Sequence, residues 1–267
     1  MGEKQVEFVS DILDLTGKAR MVRHLTLKSI NKAKSGHPGG SLSCIDILVA
    51  ISAVKRPIDK LVLSKGHAAP ALYALLAVEG KIPIEELDTL RHCDARLQGH
   101  QEMVCPGVDA GYGSLGHGLS IANGMALGAR LSQTGGKVFA VLGDGECNEG
   151  QVWEAVASAA HFKLNNVIAL IDVNGLQLDG HTAGIKQMRL ADNFRSFGWQ
   201  VIEVNGHDLT ELSNALATKS DKPIAIVCYT VKGKGSKTLE TNAGLHSAGL
   251  SDENLSKALE ELEDEGS

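Results

Sequence analysis

Residues 137–150 read KVFAVLGDGECNEG, and residues 165–175 read NNVIALIDVNG. Each opens on an unbroken aliphatic run, which predicts strands buried on both faces, at 137–142 and 166–171. Each run stops at a short polar turn containing glycine, and a helical stretch to about His161 lies between them. Strand, turn, helix and strand in that order form the repeating unit of a parallel sheet. Working outward, 199–204 and 224–229 read as two more strands, with helical segments between, and 61–63 as a short one before Ser64-Lys65-Gly66-His67. Helices are predicted over 10–34, where Ile12, Leu15, Ala19, Val22 and Ile30 recur near helical spacing, and over 42–53, 68–79 and 117–132. Ser35-Gly36-His37-Pro38-Gly39-Gly40 breaks the first of these patterns. Residues 92–116, rich in Gly, His and Pro, read as a long irregular loop, a kind of segment that is usually functional or disordered. The expected fold class is α/β: a doubly wound, mostly parallel sheet with helices on both faces. Neither a linker nor a composition shift marks a boundary, so residues 1–267 read as a single domain with an N-terminal helical segment.

Bulk properties narrow the function. The net charge of −6, with no basic cluster interleaved with aromatics, argues against nucleic acid as a partner. The short Lys232-Gly233-Lys234-Gly235 stretch is too small for such a footprint. No apolar run approaches the roughly 20 residues that span a membrane, and the charged N-terminus is unlike a signal peptide. The 5 cysteines are widely spaced with no CxxC, so neither a disulfide framework nor a zinc site is expected, and a cytoplasmic location fits best.

In parallel sheets ligands sit at the carboxyl ends of strands, so the loops after Leu142, Ile171 and Tyr229 are the places to look. Gly143-Asp144-Gly145 follows a buried strand and is read as opening a helix, whose first N–H groups and positive dipole end suit a phosphate. Asp144 supplies a hard oxygen, and the next strand end, at Asp172-Val173-Asn174-Gly175, can set Asn174 beside it. One carboxylate and one amide oxygen, completed by phosphate oxygens, make a plausible magnesium shell. The bland reading is a pair of turns, since a lone GDG is a turn far more often than a metal site, and Asp172 and Asn174 are good turn formers.

The run from Gly143 to Gly150 together with Asp172-Val173-Asn174-Gly175 resembles the motif of thiamine-diphosphate enzymes. From about residue 15 to its end, the chain is similar to the N-terminal, pyrophosphate-binding domain of transketolases. The resemblance implies thiamine diphosphate and Mg2+ as cofactors, with Ca2+ or Mn2+ as substitutes for the metal. It implies metal ligands at Asp144, Asn174 and Leu176, the last through its carbonyl. Gly143, Gly145 and Glu146 join Asp144, Asn174 and Leu176 as implied cofactor contacts, with the Gly145 amide on the diphosphate.

Four histidines sit in glycine-rich loops matching family patterns: Ser35-Gly36-His37-Pro38-Gly39, Ser64-Lys65-Gly66-His67-Ala68, Gly99-His100-Gln101-Glu102 and Ser114-Leu115-Gly116-His117-Gly118. Gln101 stands where the family has Pro, and His117 where many members have Gln. A single loop histidine is usually structural, but several beside a phosphate site suggest chemistry. The resemblance implies His37, His67, His100 and His246 as catalytic residues lining a sugar channel. Ser114, Leu115, Gly116, His117, His67 and His246 would also contact the cofactor. An imidazole with a pKa near 7 can give and take protons in both directions, as a reversible ketol transfer needs.

The family's active sites lie between a pyrophosphate domain and a pyrimidine domain, and the chain stops near the end of the first. The expectation is therefore a separate C-terminal transketolase subunit, carrying the pyrimidine-binding and C-terminal domains, in an α2β2 heterotetramer acting on sugar phosphates, with pentose phosphates as the default. Three alternatives stay open: the α subunit of a 2-oxo acid dehydrogenase, a non-catalytic member of the family, and a simple nucleotide-binding domain. The His37 and His67 loops weigh against the first, and the absence of GxxxxGK[ST] against the last.

Overall fold

The computed structural model describes residues 3–111, 113–178, 180–240 and 249–264, with side chains described from residue 14 to residue 263. In chain order the elements are α1 (Glu3–Ala33), α2 (Pro38–Ser43), α3 (Ile45–Val54), β1 (Lys60–Leu63), α4 (Ala69–Val78), α5 (Gly118–Leu131), β2 (Val138–Gly143) and α6 (Gly150–His161). There follow β3 (Val167–Val173), β4 (Leu176–Gln177), β5 (Gly180–His181), α7 (Thr182–Lys186), α8 (Leu190–Ser196), β6 (Gln200–Asn205), α9 (Leu209–Leu216), β7 (Ile224–Tyr229), α10 (Lys237–Glu240) and α11 (Asp252–Asp264).

Five strands form one parallel sheet in the order β1-β2-β3-β7-β6, as the aliphatic runs required. Successive strand residues point to opposite faces, and here both faces are buried. Phe139, Val141, Ile168, Leu170, Ile224 and Ile226 join a core with α1, α3, α4 and α9. Val138, Ala140, Val167, Ala169, Ala225 and Val227 join a second core with α5, α6 and α8. Burial of each large aliphatic side chain contributes roughly 1.5–3 kcal/mol, and these runs have no polar face to expose. The division of the helices follows from handedness. Crossovers between parallel strands are right-handed, so the path β1 to β2 to β3 to β6 puts α5, α6 and α8 over one face. The return from β6 to β7 puts α9 on the other.

Three expectations need correction. The first helix begins at Glu3 rather than near residue 10. The break after residue 34 is shorter than the glycines suggested, because α2 already starts at Pro38. Proline's fixed φ and missing N–H suit the first helical turn, where that donor has no partner anyway. Finally, Gly143-Asp144-Gly145 does not open α6. A 3-10 turn at Glu146–Asn148 intervenes, and the helix begins only at Gly150. The small antiparallel hairpin of β4 and β5, entered through Gly175 in the left-handed region (φ 73°), was not expected.

Candidate functional site

The β2–β3 register sets Gly143 opposite Asp172, so the two strands end together. The Asp144 N–H donates to the Asp172 carbonyl at 3.1 Å. The Asp144 carboxylate accepts from the Gly145 N–H at 2.9 Å and from the Gly175 N–H at 2.8 Å. Asn174 Oδ1 accepts from the Leu176 N–H at 3.1 Å. Two strand ends thus bring the Asp144 carboxylate, the Asn174 amide and the Leu176 backbone to one place. Asp144 is only 7% exposed. Burial, then the neighbouring Asp172 carboxylate, push its carboxyl up to about 6, and the two backbone amides only partly pull it back. Burial thus disfavours the bare carboxylate even with Lys65 nearby, and a hard divalent cation with oxygen ligands fits beside it. Among the described residues no three His, Cys, Asp or Glu side chains converge as a metal site. A cation here would rest on one carboxylate, one amide oxygen and carbonyl or phosphate oxygens.

Asp172 is served differently. It is fully buried and accepts from Lys65 Nζ, from Thr230 Oγ1 and, at 2.6 Å, from Ser43 Oγ. Lys65, 1% exposed, also donates to the Gly40 carbonyl at 2.8 Å. Burial opposes the Lys65 charge most, but the Asp172 carboxylate, with Cys44 and Asp144 adding to it, holds the ammonium up at about 12. This pair ties the loop after β1 to β3, α2 and the loop after β7, beneath the candidate cation site. Glu146 is a second organiser. Its carboxylate accepts from Ser64 Oγ, from the Gly116 N–H at 2.9 Å and from the Gly143 N–H at 3.1 Å. Burial raises its pKa, and these three donors oppose the rise. The bend of Glu146 back onto Gly143 explains why the chain makes a 3-10 turn before α6.

A cavity of about 480 Å³ opens over these strand ends. Its wall includes Gly143, Asp144, Gly145, Glu146, Asn174 and Leu176, and also His37, His67, His100 and Leu115. The His37 and His67 rings meet edge to face with centroids 5.2 Å apart. A Cβ on Gly40 would lie 3.1 Å from His67 Nε2, so the glycine lets this ring approach α2. His100 has a lowered pKa, first from burial and then from the Arg91 guanidinium, so its ring is biased toward the neutral form. Ser114, Gly116 and His117 belong to the same loop as Leu115 but do not form the wall. His117 is exposed at the N-terminal end of α5. His246 lies outside the described residues. The sequence reading missed Lys232, which is 6% exposed and contributes to the cavity wall from the loop after β7. The strand-end position of that loop is the signal that points to it, whereas the sequence around the lysine reads only as a short basic stretch.

The family model described as "Transketolase, thiamine diphosphate binding domain" matches residues 16–263. The 6-deoxy-6-sulfo-D-fructose transketolase subunit SqwG of Clostridium sp. (strain MSTE9) is 40% identical, over 95% of this chain and 98% of that protein. An apulose-4-phosphate transketolase subunit from Phocaeicola vulgatus is 34% identical, over 90% of each. The crystal structure of transketolase from Campylobacter jejuni superposes with a TM-score of 0.88 at 34% identity, over 93% of this chain and 42% of that one. Fold and site define a thiamine-diphosphate-binding α/β domain. The chain belongs to the transketolase family, a family of transferases, and corresponds to the N-terminal part of those enzymes.

Proposed function

We propose that this chain is the cofactor-binding subunit of a two-subunit transketolase, folded as a single domain. It would move a two-carbon ketol unit reversibly from a ketose donor to an aldose acceptor. The observation that carries the reading is Asp144, a buried carboxyl whose pKa is pushed up to about 6, beside Asn174 in a cavity that also holds His37, His67 and His100.

Bound thiamine diphosphate supplies an electron sink for breaking and making the carbon–carbon bond next to a carbonyl. Asp144, Asn174 and the Leu176 carbonyl would hold Mg2+ against its diphosphate. The Gly145 amide would contact the diphosphate. Lys232 and His67 would face the same anion, and Ser114, Leu115, Gly116 and His117 would contact the cofactor. Glu146 would act by fixing Gly143 and Gly116. His37, His67 and His100 would orient the sugar hydroxyls and move their protons. His246, implied by family resemblance, would join them.

Two relatives matched over nine-tenths or more of their length carry the word subunit in their names. This supports a partner subunit completing the site; the assembly we propose for the two chains is α2β2. The five free thiols suit a reducing cytoplasm. Among the described residues no helix is long and apolar enough to cross a membrane. The same relatives are named for a sulfonated and a phosphorylated sugar, so we place the donors among ketoses with a terminal anionic group, pentose phosphates included.

The test is a two-carbon transfer assay with Mg2+ and thiamine diphosphate, for the chain alone and mixed with the candidate C-terminal subunit. Donors would be xylulose 5-phosphate, 6-deoxy-6-sulfofructose and apulose 4-phosphate, with ribose 5-phosphate and other aldoses as acceptors. The expected result is transfer only in the mixture. Transfer by the chain alone would reject the partner, and no transfer from any donor by a cofactor-loaded mixture would reject the substrate class.

A further inference from the structure

Outside the cavity, two helices and the loop after β6 meet at one carboxylate. Asp46 of α3 is buried and paired with the buried Arg23 of α1. His207, in the loop after β6, places Nδ1 2.7 Å from the same Asp46 Oδ2. Its Nε2 lies 2.8 Å from the Val231 backbone nitrogen. An amide N–H can only donate, so Nε2 accepts, and the proton of the neutral ring sits on Nδ1, where it donates to Asp46. Both ring nitrogens are used, and their neighbours fix the tautomer. Arg23 extends the network by donating Nε–H to the Lys234 carbonyl at 3.2 Å.

The turn after β7 is therefore tied to Asp46 on both sides of Lys232, at Val231 through His207 and at Lys234 through Arg23. Between these two points the Gly233 N–H donates to the Gly39 carbonyl at 3.0 Å. The packing leaves little slack. A Cβ on Gly39 would lie 2.8 Å from Lys232 Cγ, and one on Gly235 would lie 3.1 Å from Arg23 Cδ. Neither His207 nor Asp46 lines the cavity, but the lysine between the two anchor points does.

We propose that His207 is a positioning residue of the site: it holds the Val231 amide and, with Asp46 and Arg23, fixes the turn that carries Lys232 into the cavity. The function assigned to Lys232 rests on the reading of that cavity as the thiamine diphosphate site, whereas the clamp can be tested with no cofactor present. A histidine that merely satisfied Asp46 would need only Nδ1. The bond from Val231 is what connects it to the site.

Two substitutions separate these roles. An asparagine amide nitrogen overlays Nδ1, so His207→Asn keeps the donor to Asp46 and loses the acceptor for Val231. A glutamine oxygen can overlay Nε2, so His207→Gln keeps the acceptor and loses the donor. In the full chain, hydrogen exchange at residues 231–236 and acylation of Lys232 by an amine reagent are read by mass spectrometry. His207→Asn is expected to raise both by about tenfold, the size of one lost hydrogen bond. His207→Gln is expected to leave both within about threefold while lowering the melting temperature more, because Asp46 loses a donor. Equal loosening in both variants, or loosening that simply follows melting temperature, would overturn the proposal. The unsubstituted chain gives a second reading that needs no variant. Nitrogen NMR of the His207 ring should report the Nδ1–H tautomer, and the Nε2–H tautomer would overturn the clamp. If His207→Asn frees the turn without weakening thiamine diphosphate binding by the assembled enzyme, the diphosphate role of Lys232 fails and the clamp stands.

Discussion

Asp144 and Asp172 are buried carboxylates at the ends of adjacent strands, and the protein treats them in opposite ways. Asp172 has its counter-ion built in, as Lys65, with Ser43 and Thr230 completing its hydrogen bonds. The Asp144 carboxylate accepts from two backbone amides, Lys65 acts on it without a hydrogen bond among the described residues, and its carboxyl is pushed up to about 6. A chain able to neutralise one carboxylate so fully has left its neighbour with a raised pKa, next to an amide oxygen and open to a cavity. On the proposed reading, the contrast separates a structural carboxylate from one that would hold a cation.

The largest expected effect comes from breaking the closed side of this comparison. Asp172→Asn leaves the Lys65 ammonium buried without its counter-charge, which typically costs about 3–5 kcal/mol. Denaturant unfolding of the cofactor-free chain checks it, and a loss under about 1 kcal/mol would mean that the pair is not closed.

On the open side the same change should act the other way. Asp144→Asn removes a charge that burial disfavours, so the cofactor-free chain should be as stable as the parent or more so. Magnesium-dependent affinity for thiamine diphosphate should fall by about a thousandfold, beyond the 10–100-fold typical of residues that only support a metal ligand. Titration calorimetry on the assembled enzyme reads the affinity.

The pH dependence sharpens this further. The folded carboxyl of Asp144 titrates near 6, against an ordinary value of 3.8. The folded state thus binds the extra proton between those values, and stability falls as pH rises through that window. The penalty is absent below the lower value and complete above the upper one, at roughly 2–3 kcal/mol for a shift of about two units. It should show as the difference between the parent chain and Asp144→Asn in unfolding measured from pH 4 to 7, and it should vanish when Mg2+ and thiamine diphosphate are bound.

A smaller effect is expected at Gly145, whose added Cβ would lie 2.6 Å from Gln177 Cβ. Gly145→Ala must push the β4–β5 hairpin away, at about 1–2 kcal/mol of overpacking. Thermal melting reads the cost, and an unchanged melting temperature would show that the hairpin yields freely.

Much of this fold was legible because the strands are buried on both faces. The 224–229 run forms β7 over the same residues, and the other three main strands lie within two residues of their reading. Asp144 and Asn174 were legible because each follows such a run. The rest depends on contacts distant in sequence, which leave no local period. Lys65 stood in a noted motif, but its partner Asp172 lies 107 residues away. His207 and Asp46 are 161 residues apart. The 3-10 turn after Gly145 bends Glu146 back onto Gly143, and the Gly116 and Ser64 donors that also hold its carboxylate are brought near only by the fold. Lys232 is not legible as a cavity residue because in the sequence it stands in a short basic stretch, and only the fold turns it into the cavity at the end of β7.

The most direct test is a crystal structure of the assembled enzyme with thiamine diphosphate and Mn2+, read by manganese anomalous scattering. The expected peak lies between the Asp144 carboxylate, the Asn174 amide oxygen and the Leu176 carbonyl, with the diphosphate against Gly145. Bound cofactor with its metal ion held by other residues would contradict the account.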